Sequence, residues 1–365
     1  MWLLYFLLSV FSYHSITTIY SAKNKSLINR TSFIITAKNY FLFNVIFLTI
    51  IISSLRLPVS DTTIYETFFY SISNSNSFII DIYFEPGYQI FNKIVSLIHN
   101  DFHFYLFVYN IIIWGGICYF LKKYSLNLIY SVWLFLFLGY FDQTFNLLRQ
   151  YFALAILLYS YKYIEKRFFK KFIIFVLIAM LFHTSAIVFI IAYFTYNLKI
   201  KNNRRFILIY FILCFICFIS SSLLYKILEL TPYGEYLTSE IWSVQEKVSK
   251  IAPIMNYLIL LTILSCYWVY NKSNDKISNS MYLLVIIASF ITILSFRFTP
   301  LERISSYFSV FCVILFPNTI KQISNKNKRR FLYTFFFLLF MTRYIIIAYY
   351  RPDWAAVYPY KFYFQ

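Results

Sequence analysis

The charged residues of this chain sort by sign between the gaps that separate its apolar runs. Every second gap is rich in Lys and Arg, while the others hold most of the acids and a few isolated arginines. Lipid offers no hydrogen-bond partners, so a chain that enters it repeatedly must satisfy its own backbone, as helices do. The runs are continuous rather than alternating with period two, which argues against a transmembrane barrel. Of the 365 residues 61% are hydrophobic, and the mean hydropathy is +0.66. That lies beyond the composition of a soluble domain. A net charge of +19 on a soluble protein would point to nucleic acid. Here the excess of cationic residues on one side of a membrane accounts for it.

Spans of about 20 apolar residues fall at 1–21, 39–57, 102–121, 125–141, 145–161, 206–228, 253–270, 278–296, 301–320 and 331–350. The basic gaps are 22–38, 122–123, 162–171, 199–205, 271–277 and 321–330. Placed in the cytoplasm, they take most of the 33 Lys and Arg and, of the 14 acids, only Glu165 and Asp275. The fold class expected is an all-α polytopic integral membrane protein of about 10–12 transmembrane helices. It reads as a single transmembrane domain over 1–365, with extracytoplasmic loops at 58–101 and 229–252. Residues 1–13 lack the basic start of a secretory signal and read as part of a permanent first span. The five cysteines lie in apolar runs without metal-ligand spacing and read as packing thiols.

The segment 172–198 is flanked at both ends by basic clusters, Lys170-Lys171 and Lys199 to Arg205. Both ends therefore belong in the cytoplasm, yet its length makes only ~40 Å of helix. A short two-helix hairpin with its apex at Phe182-His183-Thr184-Ser185 resolves the parity. A single tilted span is the alternative, and it would invert everything before it.

In this threading several costly groups meet at the outer third of the membrane. Arg56 ends the second span, Arg149 opens the fifth, Arg297 closes the ninth and Arg303 opens the tenth. One arginine at a helix end ordinarily snorkels to the interface. Four on one face point to a ligand, because charge in hydrocarbon is expensive and the guanidinium fork suits phosphate oxygens. A diphosphate at the head of a lipid would engage several such forks. Asp61 follows Arg56 and reads either as a helix cap or as a catalytic acid, with Tyr65 one turn on. Glu85 precedes the turn signal Pro86-Gly87-Tyr88, after which Tyr88 to Ile98 is amphipathic and suits the outer leaflet. A carboxylate at such a boundary can deprotonate a sugar hydroxyl. His183 sits at an apex where the backbone is unpaired, and suits a base or a hydroxyl ligand. The other histidines, His14, His99 and His103, read as interior or interfacial packing. Tyr83, Tyr88, Tyr233 and Trp242 suit either sugar stacking or an interfacial belt. No paired acidic motif for a metal is present, and neither metal nor cofactor is expected.

Taken in order, these short motifs resemble the EpsG family of Wzy-like polymerases of bacterial surface polysaccharide. They are Arg56-x4-Asp61-x3-Tyr65, Glu85-Pro86-Gly87-Tyr88, Leu148-Arg149-Gln150 with Ala153, Phe182-His183-Thr184-Ser185-Ala186, Arg303-x3-Tyr307-Phe308 and Pro359-Tyr360. Where a glycine is expected before Asp61, the chain has Pro58-Val59-Ser60. The resemblance implies a glycosyltransferase of the bacterial inner membrane whose site faces the periplasm. It would transfer a growing glycan from undecaprenyl pyrophosphate to the non-reducing end of another lipid-linked repeat unit, in O-antigen, capsule or exopolysaccharide synthesis. Donor and acceptor would both be lipid-linked oligosaccharides, with a chain-length regulator and a flippase as protein partners and no nucleic acid. On that reading Arg56, Arg149, Arg297 and Arg303 bind pyrophosphate, and Asp61, Glu85 or His183 supplies the base. Tyr65, Gln150 and Tyr307 orient sugar or phosphate. The rival classes are a lipid-linked oligosaccharide flippase or transporter, which predicts internal repeats and charges at mid-membrane depth, and an O-antigen ligase, which differs only in its acceptor.

Overall fold

A computed structural model of the chain describes residues 1–21, 27–75, 81, 83–198, 204–229, 251–271, 275–298, 300–352 and 357–364. Its helices are, in chain order, α1 (Trp2–Ser21), α2 (Leu27–Ser54), α3 (Asp61–Ser73), α4 (Pro86–Ile98), α5 (Phe102–Tyr124), α6 (Leu128–Phe137), α7 (Tyr140–Asn146), α8 (Leu148–Glu165), α9 (Phe169–Met180), α10 (Ile191–Thr195), α11 (Arg204–Glu229), α12 (Ile251–Tyr270), α13 (Lys276–Leu294), α14 (Leu301–Ser309), α15 (Cys312–Lys321) and α16 (Lys326–Tyr350). A 3-10 helix, Thr184–Ile190, precedes α10. Among the described residues there is no strand, only an isolated antiparallel bridge between Arg56 and Phe362.

Among the described residues, seven segments are long and apolar enough to cross a bilayer: Thr31–Ser54, Phe102–Tyr124, Arg204–Ile227, Ile251–Tyr270, Lys276–Leu294, Leu301–Lys321 and Lys326–Tyr350. The bent pair α6 and α7 makes an eighth if it is counted as one span. The protein is thus an all-α polytopic membrane protein. The higher count expected from the sequence also took in α1, α8 and the hairpin arms. All of these are helical, but α8 carries Arg149, Lys162 and Glu165 within its 18 residues. The second span begins earlier than its apolar run, because α2 continues back through Lys38 and Arg30 to Leu27.

The starts of α5 and α13 follow capping chemistry. Asp101 accepts from the amide of Phe104 at 2.7 Å and Asp275 from that of Ser278 at 3.0 Å, each satisfying an amide that the first turn leaves over. The break between α6 and α7 turns the chain by 55°. Gly139 sits there at φ +84°, a left-handed conformation that other residues adopt only with strain.

The chain divides into two compact units. The first holds residues 1–163, 170–187 and 334–365, and the second holds 164–169 and 188–333. In the first, α5 is the central helix, and its rings continue a column into neighbouring elements. Tyr109 meets Phe152 of α8 at 4.6 Å, and Phe152 stacks on Phe182 at 4.1 Å. Such pairs contribute roughly 0.5–1.5 kcal/mol each beyond area burial. The column sets the depth of the segment that carries His183. In the second unit, Tyr267 of α12 stacks on Tyr282 of α13 at 4.2 Å. Thr292 of α13 and Ser305 of α14 share a hydrogen bond of 2.8 Å.

The hairpin expected over 172–198 is present. Arg167 donates to the carbonyl of Tyr193 at 2.8 Å, and the Tyr193 hydroxyl donates back to the Arg167 carbonyl at 3.1 Å. Residues 26 apart in sequence are therefore side by side, so the chain between them turns back on itself. The helix breaks at Leu181–His183, the expected apex. Each arm is about 20 Å long, short of the ~30 Å hydrocarbon core.

The helix α4 is apolar outward and buries Gln89 and Asn92 together with Tyr88 and Val95. Gln89 and Asn92 are 2% and 0% exposed, whereas Leu97 is 76% exposed and Ile90, Ile94 and Ile98 lie on the same open side. This is the pattern of a short helix whose outer face meets lipid, and it agrees with the amphipathic reading of Tyr88 to Ile98. The expected loop 229–252 falls largely on 230–250, outside the described residues, as do Tyr233 and Trp242.

Candidate functional site

Glu85 is the N-cap of α4, with Pro86 in the first helical position. Its side chain makes no capping bond, so both carboxylate oxygens reach other partners. Oε1 accepts from Nδ1 of His183 and from the backbone amide of Thr184, each at 3.1 Å. Oε2 forms an ion pair with Nη1 of Arg149. One carboxylate thus joins the start of α4, the apex of the hairpin and the first turn of α8.

Close backbone approach makes this possible. The amide of Tyr88 donates to the carbonyl of Leu181 at 3.1 Å. A Cβ on Gly87 would come within 2.6 Å of the Leu181 Cβ and 2.8 Å of its carbonyl oxygen. Glycine is needed there for contact, since any side chain would push α4 off the apex.

Glu85 lies outside the spanning segments. Burial raises its proton affinity, but the His183 hydrogen bond and the Arg149 charge outweigh burial and hold the carboxyl at about 2. The carboxylate is therefore ionised and accepts only, so Nδ1 of His183 carries a proton toward it. The other ring nitrogen, Nε2, then holds a lone pair in the neutral imidazole.

Arg149 is cradled by rings. Its guanidinium carbon is 4.9 Å from the Phe84 ring and 5.7 Å from those of Tyr65 and Tyr88. Its Nη1 also reaches the carbonyl of Tyr83 at 3.4 Å. The Nε finds no hydrogen-bond partner among the described residues. The Arg149 side chain is 20% exposed, so the cation is held by aromatic faces yet open to a ligand.

Arg56 is placed differently. It is 3% exposed. Its Nη2 donates to Thr62 Oγ1 at 3.1 Å and to the carbonyl of Phe145, and its guanidinium lies 4.5 Å from the Phe145 ring. Thr62 also donates to the Phe145 carbonyl, at 2.8 Å. Nε and Nη1 of Arg56 have no hydrogen-bond partner among the described residues. Thr62 and Tyr65 are one turn apart on α3, so the two arginines contact successive turns of one helix. Phe145 and Arg149 stand four residues apart across the α7–α8 junction.

The first unit therefore brings together Glu85, His183, Arg149 and Tyr65, with buried Gln150 beside Arg149 in the first turn of α8. Asp61 is the first residue of α3, where its charge complements the helix dipole. Ser60 precedes it at φ 54° without a side-chain cap bond. Arg297, Arg303 and Tyr307 belong to the second unit. There Arg297 and Arg303 are exposed, and Tyr307 is buried in α14. Tyr88, expected among the outer aromatics, is fully buried and forms the floor under Arg149, while Tyr83 is exposed. Phe84 and the Thr184 amide were not singled out by sequence, and neither carries a signal that would mark it. Asp142, which follows the expected 125–141 span, is a further buried acid of this unit. It is 5% exposed, and an acid inside an apolar stretch is such a signal. No group of three or more metal-ligating side chains occurs among the described residues.

An all-helical polytopic membrane protein with an arginine, a carboxylate and a histidine joined at the apex of a short hairpin is thereby defined. Comparison with known families matches residues 39–362 to the EpsG family, nearly the whole chain, and the protein belongs to that family. The family is of the Wzy-like polymerase type and places the chain in polysaccharide biosynthesis with a glycosyltransferase-like function. No curated protein and no solved structure matches the chain.

Proposed function

We propose that the protein polymerises lipid-linked oligosaccharide repeat units in the bacterial inner membrane, with the Glu85 site on the periplasmic face. It transfers the growing glycan from undecaprenyl pyrophosphate to the non-reducing sugar of a second lipid-linked repeat unit. The observation that carries this reading is that Arg149 and His183 bind opposite oxygens of the one Glu85 carboxylate.

Nε2 of His183 removes the proton of the acceptor hydroxyl. That oxygen bonds to the anomeric carbon of the donor as the carbon–oxygen bond to the diphosphate breaks. The lipid diphosphate leaves with the electron pair, and Arg149 stabilises its developing charge. Arg56 stands behind it as a second fixed cation. Fixed donors aimed at a leaving anion are commonly the largest single term in catalysis, and several such cations need no metal. Glu85 holds the imidazole tautomer and stabilises the imidazolium, and its own low proton affinity makes it a poor base. Tyr65 and Tyr88 fix the plane of the Arg149 fork.

Deletion of the gene, followed by gel analysis of the surface polysaccharide, tests the reading. A polymerase mutant leaves a core carrying one repeat unit, and Arg149→Ala and His183→Ala each reproduce that pattern while the protein still inserts. A bare core would assign the step to a flippase or ligase, and long chains from Arg149→Ala would remove Arg149 from the site.

A further inference from the structure

Residues 357–364 lie across the end of α2 next to Arg56. The amide of Leu57 donates to the carbonyl of Lys361 at 2.9 Å, and that of Tyr363 donates to the carbonyl of Leu55 at 3.1 Å. These bonds bracket the bridge between Arg56 and Phe362. The Tyr360 hydroxyl donates to the carbonyl of Ile52 at 2.8 Å. The Tyr363 ring stacks on His103 at 3.8 Å, and His103 in turn bonds the carbonyl of Ser54 at 2.9 Å. The main chain that carries Arg56 is thus held by a segment some 300 residues away in sequence.

The same segment is fastened a second time. Tyr344 of α16 donates to both oxygens of Asp142, at 3.0 and 2.8 Å. Its oxygen accepts from Tyr5 at 2.5 Å and lies 3.0 Å from the Tyr358 hydroxyl. The one hydroxyl hydrogen of Tyr344 goes to Asp142, so Tyr358 donates to Tyr344. Asp142 and Phe145 both belong to α7, whose seven residues end where Arg149 begins to project. One end of the segment therefore holds α7 through Tyr358, Tyr344 and Asp142. The other holds it through residues 55–57, Arg56 and the Phe145 carbonyl.

We propose that residues 357–364 are a positioning strap for the diphosphate site, with Asp142 of α7 as the point where one of its ties is received. The strap fixes α7 at two points and so fixes the junction from which Arg149 reaches its ligand. The inference rests on the reading that Arg149 binds a lipid diphosphate. The short helix is set off from α6 by a 55° bend at a glycine, so its direction is not fixed by a continuous helix before it, and two ties from outside anchor it as a base for the junction. A fork that must meet two phosphate oxygens gains from such rigidity, since small misplacements weaken both bonds together.

The test measures binding of farnesyl diphosphate to the purified full chain in detergent for wild type, Tyr363→Pro, Arg149→Ala and the double variant. Tyr363→Pro removes the amide that donates to Leu55, and Tyr363→Phe keeps amide and ring as the control. The expected result is about tenfold weaker binding for Tyr363→Pro, wild-type binding for Tyr363→Phe, and no further loss when Tyr363→Pro is added to Arg149→Ala, since coupled residues are not additive. Wild-type affinity in Tyr363→Pro, or a full additional loss in the double variant, overturns the strap. Equal affinity of wild type and Arg149→Ala overturns the diphosphate reading itself. If Tyr363→Pro does not fold, Tyr358→Phe, which loses one hydroxyl, carries the same cycle with a loss of about threefold.

Discussion

Nδ1 of His183 lies 3.1 Å from Oε1 of Glu85, across 98 residues of sequence. The contact couples the apex of a hairpin to the start of α4, and it gives a lone histidine a fixed tautomer. Arg149 on the other oxygen keeps Glu85 ionised and unable to take the proton itself. Cation and base are thus assigned to different residues by one shared carboxylate.

The Glu85 carboxyl is held at about 2 against an ordinary 4.5. A group whose proton affinity falls on folding stabilises the fold above its unfolded value and loses that contribution as pH drops through its folded value. Glu85→Gln should therefore unfold at lower temperature than wild type at neutral pH. The difference should close as pH falls from 4.5 toward about 2. Thermal unfolding in detergent across that range measures it. A gap that stays constant down to the acid end would show that the ion pair is not what stabilises the apex.

Arg149→Lys separates forked recognition from simple charge. Lysine keeps the cation but offers a single rotatable ammonium, and it stacks less well on Phe84 and Tyr65. Activity should fall at least about tenfold, close to the loss in Arg149→Ala, equivalent to ~1.4 kcal/mol. Polysaccharide chain length in cells carrying the variant reads this directly, and full-length chains would reduce Arg149 to a point charge.

The spans and the hairpin were legible because lipid enforces a single rule over some twenty residues at a time. The site was legible only in part. Arg149 stands out at a span end, Tyr65 and Glu85 in the first outer loop and His183 at the hairpin apex, and the first unit joins them. Arg56 carried the same signal, yet most of its surroundings are packing and backbone rather than ligand space. Sequence spacing shows that a charge is expensive, not what it touches. Asp142 shows the converse case: its partner Tyr344, and the Tyr5 and Tyr358 hydroxyls that bond Tyr344 in turn, come from distant segments, so no local pattern points to them.

Gly87→Ala tests the approach of α4 to the hairpin apex. The added methyl would meet backbone and Cβ of Leu181 at under 3 Å, atoms that no rotamer change can move. Overpacking of this kind costs about 1–3 kcal/mol. The apex should shift from Glu85, so activity should fall more than stability, with the protein still inserted. Long polysaccharide chains from Gly87→Ala would show that the Glu85–His183 contact tolerates displacement.

Thr62→Val tests the brace beneath Arg149. The hydroxyl accepts from Arg56 at 3.1 Å and donates to the Phe145 carbonyl at 2.8 Å in a buried setting. Valine fills the same volume but leaves Arg56 one acceptor short and the carbonyl with only the arginine. A buried donor without its partner costs about 1–3 kcal/mol. The loss falls on the α7–α8 junction, so the variant should lower both the unfolding temperature and the affinity for farnesyl diphosphate. Thr62→Ser, which keeps the hydroxyl, should restore the affinity while leaving a small packing defect. Equal affinity in Thr62→Val and wild type would separate the Arg56 brace from the Arg149 fork, and the two arginines would then act independently.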